Sequence, residues 1–318
     1  MISESANSNT KLLEKNKKNR SSLQRRETLA AWSFCTLPLS FLLLFLITPF
    51  IIAFVTSFTN QRLITNPNLP TQFIALRNFV RLFNSASFRQ ALLNTFIFAV
   101  VVVPLQTFFA LVLAVLVNQK LRFINLFRTI YFSPVVTTMV VVSIIWYFLY
   151  NPGEGLINQM ISFISFGKLG PYNWLNDTSS ALPAIMILSI WQGVGFQMVI
   201  YLAGLQGIPD ELYEAGRVDG ANTWQQFWQI TIPQLRNTTI FVIISTTILA
   251  FKLFTQVWVM TRGGPQGATK TIIVLLYEEG FKMLRVGYAS AIGVLFFLIV
   301  LAVSLIQRIY LKEERAVT

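Results

Sequence analysis

The chain has 318 residues, of which 54% are hydrophobic and only 12% are charged, about half the charged share of an ordinary soluble domain. Polar surface could not cover this apolar excess in water, so the composition favours a protein that is largely surrounded by lipid. Histidine is absent and Cys35 is the only cysteine, which excludes a Ser-His-Asp triad, a histidine-based zinc site and a disulfide framework.

Residues 1–30 are polar and basic, and we expect them to form a cytoplasmic tail. The charged region is too long for a cleavable signal peptide, and the apolar stretch after it is longer than a signal core. The net charge of +12 could suggest nucleic acid. Because the basic residues lie in tails and short loops between apolar stretches, membrane topology explains the charge better than a nucleic-acid partner.

Six stretches are long and apolar enough to cross a bilayer, which requires about 20 residues each. Only a helix satisfies its own backbone polar groups in lipid, so we predict an all-α membrane protein with six transmembrane helices. The stretches are 31–58, 91–117, 126–150, 181–205, 237–260 and 286–310. They form a predicted transmembrane domain over 31–310, and a second tail follows at 311–318.

Lysine and arginine are unevenly distributed between the two faces of this predicted bundle. An even number of spans places both termini on one face, and the tails and loops of that face carry more basic residues than the opposite loops. Since cytoplasmic loops are enriched in Lys and Arg, we predict that both termini are cytoplasmic.

The cytoplasmic loop at 206–236 predicts a short acidic helix. Pro209 followed by two acids is a helix-start signal, and Gly220 can end the helix in a left-handed conformation. Four acidic residues and one basic residue lie between Asp210 and Asp219. Because inner-leaflet lipid is anionic, this helix should be repelled from headgroups and available to a protein partner. The alternative is an ordinary solvated loop helix.

The spacing of this helix gathers small residues on one face, which would let another surface approach the backbone closely. That face contains Leu212, Ala215, Gly216 and Asp219. A second amphipathic segment follows and is expected to end at Pro233; its apolar residues are Trp224, Phe227, Trp228, Ile230 and Ile232.

The same loop resembles the EAA loop of ABC importer permeases, whose pattern is E-A-A-x3-G-x9-I-x-L-P. The matching residues are Glu214, Ala215, Gly216, Gly220, Ile230 and Pro233. The spacing agrees at every step, with Gly216 in place of the second alanine and Ile232 in place of leucine. Residues 214–222 resemble the sugar-importer branch of this family, which is the maltose, lactose and glycerol-phosphate type. Asp219 occupies the acidic position in the motif of that branch. The turn at 261–265 resembles T-G-G-G-P, with Arg262 in place of a glycine.

This resemblance implies a type I ABC importer permease of the bacterial inner membrane. It implies that the loop forms a coupling helix, in which Glu214 makes a polar contact with a separate ATPase, Ala215 and Gly216 permit close packing, and Gly220 sets the bend. It also implies two ATP-binding subunits, an extracytoplasmic solute-binding protein and a second, different permease; a homodimer is the alternative. The chain lacks G-x4-G-K-[ST], so we expect no cofactor here and ATP with Mg²⁺ on the partner ATPase.

Polar groups inside a span are costly unless they are paired or face a cavity, so they are candidates for the solute pathway. The candidates are Trp191, Gln192, Gln197, Lys252 and Gln256. Lys252 could instead extend to the membrane surface, and the glutamines could instead join helices, as we prefer for Gln106. Gly193 and Gly195 could unwind the fourth span or permit close helix contact, and we favour close contact.

Two other classes of function are alternatives to an ATP-driven importer. An ion-coupled secondary transporter often carries several intramembrane acids, yet no Asp or Glu lies in a predicted span. Backbone carbonyls could still bind sodium. A membrane-embedded enzyme is disfavoured because the chain has no histidine and no buried acid pair. The identity of the solute stays open among sugars, sugar alcohols, glucosyl osmolytes and glycerol phosphodiesters.

Overall fold

Helices make up the regular structure of the described residues. The computed structural model describes residues 26–64, 70–119 and 123–311, and within these ranges the extended backbone is limited to one isolated bridge between Thr59 and Phe73. Most of the predicted N-terminal tail and nearly all of the C-terminal tail lie outside the described residues. The chain divides into two compact units, 1–56 and 57–318.

The first unit contains one long helix, α1 (Arg26–Thr56), which agrees with the first predicted span. Its 31 residues extend about 46 Å, more than the roughly 30 Å of hydrocarbon in a bilayer. A π-helical turn at Leu43–Ile47 interrupts the α-helical pattern near its middle.

The second unit contains the remaining helices, which we number in chain order. They are α2 (Arg77–Asn84), α3 (Ala86–Val117), α4 (Ile124–Val136), α5 (Met139–Leu149), α6 (Leu156–Ile164), α7 (Ala181–Gln206), α8 (Asp210–Val218), α9 (223–234), α10 (Arg236–Phe251), α11 (Thr255–Met260), α12 (Ile272–Tyr277) and α13 (Val286–Leu311). A π-helical turn, Glu278–Lys282, continues α12. Helices α3, α7 and α13 agree with predicted spans, and α10 with α11 covers the fifth.

The third predicted span, 126–150, needs correction because it is not one continuous helix. It consists of α4 and α5, whose axes differ by 99°. Pro134 removes a backbone donor near the end of α4, and Thr137 and Thr138 are extended, with ψ of 137° and 140°. Counting the bent pair as one span gives six candidate spans in the described residues, which agrees with the predicted number.

Close packing between α3, α4 and α7 forms the centre of the second unit. A Cβ atom on Gly193 would overlap the side-chain amide of Gln106 on α3, and one on Gly195 would overlap the carbonyl oxygen of Tyr131 on α4. Helix α7 is continuous through both glycines. The expectation of close helix contact, rather than unwinding, is therefore confirmed.

The 206–236 loop and the start of α3 lie at opposite ends of the helix pair α10–α11. Helix α10 begins directly after that loop, whereas the turn after α11 is bonded to α3. The Asn94 amide donates to the carbonyl oxygens of Gly267 and Lys270, both at 2.9 Å. Because α10 and α11 connect the two regions, the loop occupies one face of the bundle and the 261–271 turn occupies the other.

Candidate functional site

Helix α8 begins where the sequence predicts. Pro209 precedes it with extended backbone at ψ 133°, and Asp210 and Glu211 occupy the first turn. Arg217 lies in the last turn. Acids at the N-terminus and a base at the C-terminus both complement the helix dipole, so the charge order favours a helix over these residues.

Helix α8 ends where Gly220 adopts a left-handed backbone conformation. Gly220 has φ of +79°, and the N–H of Ala221 donates to the carbonyl of Gly216 at 2.8 Å while that of Gly220 donates to the carbonyl of Arg217 at 3.1 Å. This pair of bonds is a Schellman motif, in which glycine is preferred. Asn222 then starts α9 through a capping box with Gln225. The predicted role of Gly220 in ending the helix is confirmed.

Helices α8 and α9 pack as a hairpin around an open cleft of about 440 Å³. A Cβ atom on Gly216 would lie 3.0 Å from Ile230 Cδ1, so the two helices touch at this point. The hydroxyls of Tyr213 and Thr231 form a hydrogen bond of 2.9 Å beside it. The cleft is lined on the α8 side by the predicted face, Leu212, Ala215, Gly216 and Asp219.

Glu214 points away from this packing. Its side chain is 69% exposed, and its contact with Arg217 is 3.9 Å long. An exposed pair of this kind contributes little to stability, so the carboxylate is available to another protein. Pro233 does not end α9 as predicted but lies in its last turn, 232–234. Proline is tolerated at the start of that turn, directly after the π-helical turn Phe227–Thr231, because no helical N–H bond is required there.

A second cavity, of about 210 Å³, lies between α3, α7 and the break that separates α10 from α11. Four of the five predicted pathway residues, Gln192, Gln197, Lys252 and Gln256, line it. Its α7 wall is a stripe at helical spacing, formed by Ser189, Gln192, Gly193, Phe196 and Gln197. The structure therefore brings together polar residues from distant parts of the chain, such as Ser189 and Gln256, which are 67 positions apart.

Hydrogen bonding within this cavity is incomplete. The Gln197 amide donates to Thr246 Oγ1 at 2.6 Å, but its buried carbonyl oxygen has no partner among the described residues. Gln256 donates to Ser189 Oγ at 3.3 Å. Lys252 is exposed, and the ion pairs within the described ranges do not include it. A buried acceptor without a donor is costly unless water or a bound hydroxyl group satisfies it.

Trp191 lies outside this cavity. It is half exposed, borders a separate apolar groove and contacts Trp146, with ring centroids 5.5 Å apart. One helical residue corresponds to about 100° of rotation, which directs Trp191 away from the wall that contains Gln192. The structure therefore does not place Trp191 with the other predicted pathway residues.

Two cavity residues, Ser189 and Thr246, were not identified from the sequence. Ser189 could have been found because it continues the polar stripe of α7 by one turn. Thr246 gives no comparable signal, since threonine is frequent in α10. Gln106 donates weakly to the Ser189 carbonyl at 3.5 Å and packs on Gly193, which agrees with its predicted role in joining helices.

Comparison with known proteins identifies the family. Residues 73–315 match the family model described as binding-protein-dependent transport system inner membrane component. The probable ABC transporter permease protein YurN of Bacillus subtilis is 39% identical over 245 residues, covering 76% of this chain and 84% of the relative. The lactose transport system permease protein LacF of Rhizobium radiobacter is 34% identical over 302 residues, covering 93% and 98%.

The fold is also found in a solved structure, a bacterial alginate ABC transporter in complex with an alginate pentasaccharide-bound periplasmic protein. Its matching chain has a TM-score of 0.79 and 22% identity, and the match covers 90% of this chain and 95% of that one. Permease subunits of this kind are transport components without an ATPase site of their own, in agreement with the expectation above. The chain belongs to the inner membrane components of binding-protein-dependent transport systems, the family of the ABC transporter permeases.

Proposed function

We propose that this chain forms half of the solute pathway of an ATP-driven importer for a sugar or a sugar-like solute. Two relatives support the solute class through their names, the lactose transport system permease protein LacF and the arabinooligosaccharides transport system permease protein AraP of Bacillus subtilis. An extracytoplasmic binding protein would deliver the solute. The family match favours this function over ion-coupled secondary transport.

The observation that carries the solute pathway is the polar cavity on α7. Its unpartnered Gln197 carbonyl can accept a hydrogen bond from a sugar hydroxyl, and Gln192 and Gln256 add amide groups nearby. A second permease, which we propose to be a different chain, would supply the other half of the pathway. With 31–310 as the transmembrane domain, we propose that both termini and the α8–α9 hairpin face the cytoplasm.

Coupling to ATP hydrolysis is assigned to the α8–α9 hairpin. Two separate subunits would hold ATP and Mg²⁺, and one of them would dock on the hairpin at Glu214, Ala215 and Gly216. The Schellman motif and the contact between Gly216 and Ile230 hold α8 against α9. Helix α9 is followed directly by α10. Movement of an attached ATPase would therefore be transmitted to the helix that borders the cavity.

The pathway assignment predicts that Gln197→Met lowers transport while leaving the protein folded. Methionine keeps the length of the side chain but removes both hydrogen-bonding groups. A net contribution of about 0.5–1.5 kcal/mol per neutral hydrogen bond predicts roughly a 2-fold to 10-fold reduction in solute uptake. Uptake is measured in proteoliposomes that contain the full transporter and its binding protein. Gln159→Met on the exposed face of α6 is the control, and equal uptake by both variants would contradict the assignment.

The coupling assignment predicts that Glu214→Lys removes the ATPase from the purified complex. Reversing an exposed charge costs little fold stability, but at a docking surface it opposes the partner. The measurement is the amount of nucleotide-binding subunit that co-purifies with the chain from membranes. Glu154→Lys makes the same charge change on an exposed residue between α5 and α6 and should retain the ATPase. Retention by both variants would refute docking at Glu214.

A further inference from the structure

Helix α2 has three distinct faces, although it is only eight residues long. Asn78 and Leu82 form its buried face. An exposed apolar face consists of Leu76, which precedes the first turn, with Val80 and Phe83; their side chains are 61%, 58% and 59% exposed. The third face lies between these two and contains arginines. This division into apolar, basic and buried faces is typical of a helix that lies at a membrane surface.

The basic face of α2 borders a polar pocket of about 270 Å³. Four arginines line it: Arg62, Arg77, Arg81 and Arg285. Two of them are held in place, since the Arg81 guanidinium lies 4.6 Å from the centre of the Tyr288 ring and Arg285 contacts Glu279 at 3.3 Å. The remaining lining consists of uncharged residues, Asn60, Gln61, Gln72, Ile74, Asn78 and Tyr288.

The positive charges in this pocket are not balanced by acidic residues in the described part of the chain. Among the described residues, Glu279 is the only acidic side chain that pairs with any of the four arginines. Guanidinium groups gathered around one pocket repel each other, and a bound anion would remove that repulsion. A planar guanidinium group can donate two parallel hydrogen bonds to the oxygens of one phosphate group. A phosphate group is therefore well suited to this pocket.

The position of the pocket indicates where the phosphate comes from. Helix α2 is separated from α3 only by Ser85, whose side chain caps the first turn of α3. Because α3 is a candidate span that begins at Ala86, α2 lies at the depth of the lipid headgroups. Acyl chains would cover the exposed apolar face of α2, and the arginine pocket next to it would then face the phosphates.

We propose that this pocket binds the headgroup phosphate of an anionic phospholipid, with the acyl chains along Leu76, Val80 and Phe83. The site lies on the face of the bundle opposite the α8–α9 hairpin, so it is independent of the proposed coupling surface. It joins the start of α3 to the start of α13 through Arg81 and Tyr288. A lipid bound there would hold these two spans together at the membrane surface.

The test uses the purified transporter complex in neutral detergent with added phosphatidylglycerol, phosphatidylcholine or inorganic phosphate. Native mass spectrometry counts the bound lipid, and thermal unfolding reports stabilisation. The wild type should bind phosphatidylglycerol in preference to phosphatidylcholine. Because each basic residue near an anionic surface adds roughly a fivefold increase in affinity, R77Q/R81Q should reduce that preference by about tenfold or more. R89Q, an arginine on the same face of the bundle but outside the pocket, should leave it unchanged.

A second variant distinguishes a lipid from a free anion. V80S/F83S keeps every arginine but removes apolar surface, so it should lose phosphatidylglycerol binding as well. If inorganic phosphate alone stabilises the wild type as much as the lipid does, the site takes a free anion and the lipid proposal is wrong. Equal lipid preference in wild type and R77Q/R81Q would also overturn it, as would the same loss in R89Q.

Discussion

Gly216→Leu should strongly reduce solute-stimulated ATP hydrolysis in the assembled transporter. The glycine lies where α8 touches α9, and a Cβ atom there would already be 3.0 Å from Ile230 Cδ1. A leucine would separate the two helices and fill the cleft on the proposed docking face. Overpacking of about 1–3 kcal/mol at a coupling surface corresponds to roughly a 5-fold to 150-fold loss of stimulation. The measurement is ATPase activity with and without solute-loaded binding protein.

A graded series identifies the cause of this loss. Gly216→Ala requires Ile230 to move by only a few tenths of an ångström, and alanine occupies the equivalent position in the motif that this loop resembles, so most stimulation should remain. Val218→Leu enlarges a residue that is 87% exposed on the same helix, and it should have no effect. If Gly216→Leu retains full stimulation, the cleft is not the surface through which ATPase and permease communicate.

The number of spans could be predicted because the bilayer thickness sets a minimum length for each apolar stretch that crosses it. The bend between α4 and α5 could not be predicted. Pro134 lies in a continuous apolar run, and hydrophobicity alone does not indicate where a helix changes direction. The same holds for the break at Lys252. In the sequence, Lys252 is a charge inside a predicted span. In the structure, α10 ends at this residue, and Lys252 lines the cavity.

The start and end of α8 could be predicted because local signals were sufficient. The start and end of α8 depend on Pro209 and Gly220, whose effects act within one helical turn. The cavity required long-range packing, so Gln197 and Gln256 could be named individually but not placed together. The arginine pocket was not predicted for the same reason. Its arginines come from three separate segments, and the sequence alone indicates only that they lie on one face of the bundle.

Gly195→Val should cause the largest loss of stability among the substitutions considered. Glycine is required at this position because the carbonyl oxygen of Tyr131 occupies the space where a Cβ would lie. That oxygen belongs to the backbone of α4, so it cannot move without moving the helix. We expect destabilisation of about 3 kcal/mol or more, at the upper end of overpacking effects. Thermal unfolding of the purified protein, followed by size-exclusion chromatography, measures it.

The same argument predicts a different result at a second glycine of the same region. Gly207 ends α7, and a Cβ there would meet only ordinary contacts, the carbonyl oxygens of Gly204 at 3.5 Å and Ala203 at 3.7 Å. Gly207→Ala should therefore unfold at the wild-type temperature, whereas Gly195→Ala should already be less stable. If the two alanine variants are equally stable, α4 does not contact α7 at Gly195.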